Sequence, residues 1–150
     1  MYEVILAIHN ILRWVALILV ILATAFAVIG WLGKRQWAER DRKIGAFTTI
    51  ALDIQLLLGL LLYFVLSPLT KTALQDFGAA MGVADLRFFG LEHALYMVLA
   101  VVSAHLGNAL SKRATEPRAK FMRAAIFYGL ALLLILLGMP WGRSLLPGLG

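Results

Sequence analysis

A chain of 150 residues in which 62% are hydrophobic and 15% charged is too apolar for an ordinary soluble domain and reads as an integral membrane protein. Its net charge of +6 would suit nucleic acid, but ten of its fourteen basic residues fall in or beside two short connections between apolar runs, which is a topology signal instead. The absence of cysteine excludes disulfide exchange, thiolate metal sites and covalently attached c-type haem.

Four runs, at roughly 4–32, 46–66, 88–110 and 121–139, meet the need for about 20 apolar residues to cross a hydrocarbon core. They predict an all-α fold: an integral membrane four-helix bundle that occupies the whole of 1–150 as a single transmembrane domain. No room is left for a soluble catalytic domain, so any chemistry must lie between helices or in short connections.

The first run contains Ala23-Thr24-Ala25-Phe26-Ala27, a small-residue stretch of the kind found at signal-peptide cleavage sites. No Lys or Arg precedes the run, and His9, Asn10 and Arg13 interrupt it, so a retained helix is expected. It ends at the basic segment 33–43, with Trp31 and Trp37 suited to an interface. Lys34, Arg35, Arg40, Arg42 and Lys43 follow the first run, and Lys112, Arg113, Arg118, Lys120 and Arg123 surround the turn after the third. The positive-inside rule assigns both groups to the cytoplasm and puts both termini and the 68–87 connection on the outer side. Basic residues there would also attract anionic lipid, at about 1 kcal/mol each.

Ser67-Pro68 stops the second run, because proline lacks an amide hydrogen and disfavours helix at the residue before it. The weakly amphipathic connection 69–85 is expected to lie on the outer face as a short surface helix or a lid. Met139-Pro140 ends the fourth run, and 142–150 reads as a turn-rich tail.

Ionisable groups in hydrocarbon are costly and normally face a protein interior with partners. At about 1.5 Å per residue, His9 lies roughly 10 Å from the outer end of its helix and His93 roughly 9 Å from the outer end of the third. Arg13 lies one turn below His9 on the same face. Tyr63 reaches this level from the second helix, and Glu92 is adjacent to His93. The expected outer layer is therefore His9, Arg13, Tyr63, Glu92 and His93, with Tyr96 just below. An inner layer would hold Asp53, Gln55, His105 and Asn108, with an Asp53–His105 pair near the cytoplasmic surface, where His105 stays partly hydrated. Gln55, Gly59 and Tyr63, four residues apart, form a stripe linking the layers, and Ala100 and Ala104 offer close helix contact.

Two histidines on facing helices can hold a haem iron from either side, with aromatic residues such as Phe88, Phe89 and Trp14 against the porphyrin and Arg13 near a propionate. The same residues also admit a cofactor-free reading: a polar cluster that joins helices, with an Arg13–Glu92 ion pair. A second haem is disfavoured. His93 and His105 are twelve residues apart, which rotates them by about 120°, and no fourth histidine exists.

The elements His9-Asn10-Ile11-Leu12-Arg13-Trp14, Gln55 with Gly59 and Tyr63, Arg87-Phe88-Phe89 before Glu92-His93, and Met139-Pro140-Trp141 span nearly the whole chain. In them the sequence resembles the small four-helix bacterial membrane proteins labelled cytochrome b or cytochrome-b-like. The resemblance implies haem b with His9 and His93 as axial ligands, Arg13 and Glu92 beside them, and a place in the bacterial cytoplasmic (inner) membrane. The lack of two histidine pairs departs from the larger two-haem cytochromes b.

Two functions follow as expectations. One is a b-type haem electron-transfer protein or redox subunit, exchanging electrons with quinone or with respiratory-complex subunits, with Tyr63, His93 and Arg13 near the quinone carbonyl. The alternative is a cofactor-free accessory or assembly subunit of a larger membrane complex. No nucleotide-binding glycine loop, zinc-protease motif or serine nucleophile set is present, which excludes the common hydrolase and transferase classes. Any enzymatic role is that of a redox subunit.

Overall fold

The computed structural model describes residues 1–142. Among these the chain is helical, without strands. Four helices are long and apolar enough to cross a membrane: Tyr2–Leu32, Glu39–Leu66, Ala84–Arg113 and Pro117–Gly138. The shortest, 22 residues, measures about 33 Å at the standard rise, against about 30 Å of hydrocarbon. The tail expected over 142–150 lies, past Gly142, outside the described residues.

Helix α1 (Tyr2–Leu32) closes on Gly33. The turn itself is made by Lys34, which adopts the left-handed region with φ 50°, while Arg35 N–H donates to Gly30 O at 3.0 Å. This is the six-to-one bond of a Schellman stop. Helix α2 (Glu39–Leu61) begins seven residues before the apolar run, because the Ala38 N–H donates to the carboxylate of Asp41 at 3.0 Å. Asp41 is buried and also receives Arg35 at 3.3 Å, so the first basic connection is tied to the helix it precedes.

Helix α2 runs into a π-helical turn, Leu62–Leu66, that ends at Ser67 with Ser67 N–H donating to Leu62 O at 2.8 Å. The predicted stop at Ser67-Pro68 is thus present. The connection that follows holds three short helices, α3 (Pro68–Gln75), α4 (Phe77–Ala80) and α5 (Ala84–Arg87). A second π-helical turn, Phe88–Glu92, leads into α6 (His93–Arg113). Helix α7 (Pro117–Gly138) starts with proline in its first turn, where a missing N–H costs nothing.

The long helices pack in a ring in which α1 touches α2 and α7, and α6 touches α7 and α2. Their shared core is built from small residues, including Ala16, Ala23, Ala100, Ala104 and Ala131, which permit close axes where lipid supplies no hydrophobic drive. Toward the basic end glycines receive aromatic rings. A Cβ on Gly30 would stand 2.3 Å from the Phe121 ring, and one on Gly45 would stand 2.5 Å from the Tyr128 hydroxyl. Ser103 Oγ donates to Phe127 O at 2.7 Å and Thr48 Oγ1 to Ile44 O at 2.8 Å, so polar side chains here bond to backbone carbonyls.

Candidate functional site

The opposite half of the molecule is hollow. A cavity of about 620 Å³ is lined by residues of α1, α2, α6 and α7, of both π-helical turns, and by Leu69 and Thr70 at the start of the 68–87 connection, a size within the roughly 300–1,000 Å³ of cofactor pockets. Four of the five site residues expected from sequence line it: His9, Arg13, Tyr63 and His93. The rest of the wall is mainly apolar, with Leu6, Leu56, Leu60, Val98 and Ile135 among its residues.

The two histidines arrive from opposite sides of the ring, since α1 and α6 are separated by α2 and α7. His93 Nδ1 lies 2.7 Å from Gly138 O. A carbonyl can only accept, so in the neutral ring the proton sits on Nδ1 and Nε2 keeps its lone pair. Phe88 and Phe89 flank this ring, with centroids 5.9 and 6.0 Å away. Gly138 can sit so close because it lacks a side chain: a Cβ there would fall 2.5 Å from Met97 Cε and 2.8 Å from Tyr96 Cβ.

His9 is fixed by its backbone, whose carbonyl accepts from Gln55 Nε2 at 2.9 Å. Its ring lies over Gly59, where a Cβ would meet His9 Cε1 at 3.4 Å. Both His9 Nδ1 and Gln55 Oε1 are buried without a hydrogen-bond partner among the described residues. Buried polar atoms are rarely left unsatisfied, and these two on one cavity wall offer hydrogen-bonding positions to a ligand or to water. Arg13 is buried on the same wall and stacks over Trp14 at 5.7 Å.

Tyr63 and Gly90 belong to the two π-helical turns, and Tyr63 Oη donates to Gly90 O at 2.6 Å. Thr70, at the start of the connection, donates to Tyr63 O at 2.7 Å. A Cβ on Gly90 would come 2.7 Å from the Ala73 Cβ. The start of the connection therefore packs on the two π-helical turns, and its Leu69 and Thr70 line the cavity.

Three expectations need adjustment. Glu92 lies off the cavity wall, half exposed, and accepts from Arg87 Nε at 2.7 Å. It therefore belongs to an exterior pair with Arg87. Gln55 belongs to the cavity and not to the inner layer. Phe88 and Trp14 stand behind the wall, through His93 and Arg13, whereas Phe89 lines it.

The inner layer keeps Asp53 and His105, joined at 2.7 Å between Oδ1 and Nε2, and Asn108, whose Nδ2 donates to Thr49 Oγ1 at 3.4 Å. Among wall residues that sequence reasoning left unassigned are Asn10, Met97 and Met139. Asn10 follows His9 directly, and Met139 belongs to the closing motif Met139-Pro140-Trp141.

Among the described residues no group of three or more His, Cys, Asp or Glu could hold a bare metal ion. A porphyrin brings four of its own donors, so two imidazoles suffice for haem. No family model matches the chain. No curated protein and no solved structure matches it significantly.

Proposed function

We propose that the protein is a single-haem, b-type electron-transfer protein or redox subunit of the bacterial cytoplasmic membrane, similar to the small four-helix cytochrome-b-like proteins. The basic connections face the cytoplasm in this reading, with both termini and the 68–87 connection on the outer side. The observation that carries it is one mainly apolar cavity of about 620 Å³ that takes an imidazole from each of two opposed helices.

His9 and His93 would hold the iron. His93 already makes the hydrogen bond that orients a ligating imidazole and raises its basicity, through Nδ1–H to Gly138 O at 2.7 Å. Arg13 supplies a buried cation for a propionate, and the wall around it is mainly apolar, with leucine and valine side chains. Haem b, when bound, supplies one-electron chemistry, while the chain sets its potential through ligands, burial and hydrogen bonds. Electrons would be exchanged with a lipid-soluble quinone or with another membrane subunit.

The test is the optical spectrum of protein purified after expression with ample haem. A Soret band with resolved α and β bands on reduction is expected, with loss of the low-spin signal in His9→Ala and in His93→Ala. A colourless wild-type protein that copurifies with a stable membrane partner would replace this reading with that of a cofactor-free accessory subunit.

A further inference from the structure

The Asp53–His105 pair is not part of the cavity, yet it is among the most unusual placements in the chain. Asp53 lies ten residues beyond Lys43 and His105 seven before Lys112, so helical rise puts them about 15 and 10 Å in from the basic end. Counted from these lysines, that is the basic-side third of a bilayer about 40–45 Å thick with its headgroups. Their side chains are nevertheless 46% and 49% exposed on the outside of the helix ring, beside Leu57, Val102 and Leu106, which are exposed too. An ionisable pair facing lipid is costly, and such residues mark sites of function.

The position is specific. Asp53 is on α2 and His105 on α6, so the bond at 2.7 Å closes the seam between these helices. Leu52 and Leu56, on either side of Asp53 in α2, and Val101, one turn before His105 in α6, line the cavity, so the pair sits on the outside of the helices that form the cavity's lower wall. Above it the same seam carries Leu60, Leu95 and Val98, which line the cavity while being 37%, 50% and 40% exposed. The seam therefore carries side chains that reach both the cavity and the outside, with the Asp53–His105 pair at its lower end.

We propose that Asp53 and His105 form the binding site for the headgroup of a lipid-soluble quinone or quinol that approaches along the α2–α6 seam. The pair leaves one carboxylate oxygen and one ring nitrogen for a ligand. With His105 Nε2–H donated to the carboxylate, the second Asp53 oxygen accepts from a quinol hydroxyl, and His105 donates to a quinone carbonyl through Nδ1–H when its ring carries both protons. The isoprenoid tail remains in lipid against the apolar seam. The choice of a redox-active headgroup rests on the haem reading above, but the site itself stands on the exposed pair and the seam.

The test uses the full chain in lipid nanodiscs, photolabelled with a short-chain azidoquinone and mapped by mass spectrometry, with the haem spectrum recorded separately on each sample. Label is expected on peptides covering 50–57 and 98–106. Asp53→Asn and His105→Phe should each lower it about tenfold and leave the spectrum unchanged. Label that maps to Tyr63 and His93, or that is equal in the variants, overturns the proposal, as does a coloured protein that takes no label. Colourless protein labelled at the seam in an Asp53-dependent way supports this site while removing the haem reading. Crosslinking between two copies through position 105 that excludes the label would assign the pair to an oligomer contact and overturn it.

Discussion

Gly59 offers a direct measure of whether the cavity is occupied by a cofactor. A Cβ on this residue meets His9 Cε1 at 3.4 Å and Nδ1 at 4.0 Å, which is ordinary contact. Gly59→Ala should therefore bind haem as the wild type does and gain up to about 1 kcal/mol of helix stability. Gly59→Leu adds three more carbons on a residue that already lines the cavity, and they must occupy the space beside the His9 ring. Overpacking of this kind costs about 1–3 kcal/mol, which converts to roughly 5- to 150-fold weaker haem binding. The haem-free protein should behave in the opposite way, because the leucine fills empty apolar space and raises the melting temperature. The assay is haem titration followed at the Soret band, paired with thermal unfolding of the haem-free form. Wild-type haem affinity in the leucine variant would refute the placement of the cofactor beside His9. A loss of affinity accompanied by a lower haem-free melting temperature would show a folding defect instead of occlusion.

Gly138→Ala drives a methyl to 2.5 Å from Met97 and 2.8 Å from Tyr96, so the carbonyl that holds His93 must shift. The expected result is a displaced haem midpoint potential in redox titration, with haem still bound. Tyr63→Phe removes the 2.6 Å bond to Gly90 O between the two π-helical turns. A loss of about 0.6 kcal/mol is expected, within the range of interhelical bonds in membranes, together with faster amide exchange in the 68–87 connection. Gly30→Ala and Gly129→Ala form a matched pair. The first meets the fully buried Phe121 ring at 2.3 Å and should lower stability by about 1–3 kcal/mol. The second meets only Thr24 Cγ2 at 3.9 Å and should be neutral or stabilising by up to about 1 kcal/mol, as read by thermal unfolding in detergent.

The apolar runs made the long helices legible, but their basic ends were hidden. Hydropathy falls at Glu39 and again at Arg113, so it cannot see that Asp41 caps α2 through Ala38 N–H at 3.0 Å, or that Pro117 starts α7. His9 and Arg13 were readable because polar groups four residues apart share a helix face, Tyr63 because it continues the Gln55–Gly59 stripe, and His93 by its depth in the third run. Glu92 was misplaced for a geometric reason: the step of about 100° per residue carries it outward to Arg87, while Ala94, on the other side of His93, turns onto the cavity wall. Here the π-helical turn over Phe88–Glu92 also breaks the ordinary helical phase. The His93–Gly138 bond joins residues 45 apart in sequence and leaves no local signal.

The two halves of the molecule differ in how their glycines are used, and this explains why a cavity can persist in so small a chain. Toward the basic end, Gly30 and Gly45 admit Phe121 and Tyr128, which fill the space between helices and fix their separation. Phe121 is fully buried, with Trp37 4.8 Å away and the Arg35 guanidinium 5.4 Å above it. At the other end Gly59 and Gly138 make room for the histidine rings and the carbonyl that orients one of them, and the aromatic residues there, Tyr63 and Phe89 among them, belong to the cavity wall. The closely packed half thus holds the helices at a spacing that the open half, lined by leucines and two imidazoles, does not set for itself. Rigid support of this kind is what a preorganised cofactor site requires. It follows that damage at Gly30 should reach the His9–His93 site through helix spacing, without any residue there being altered.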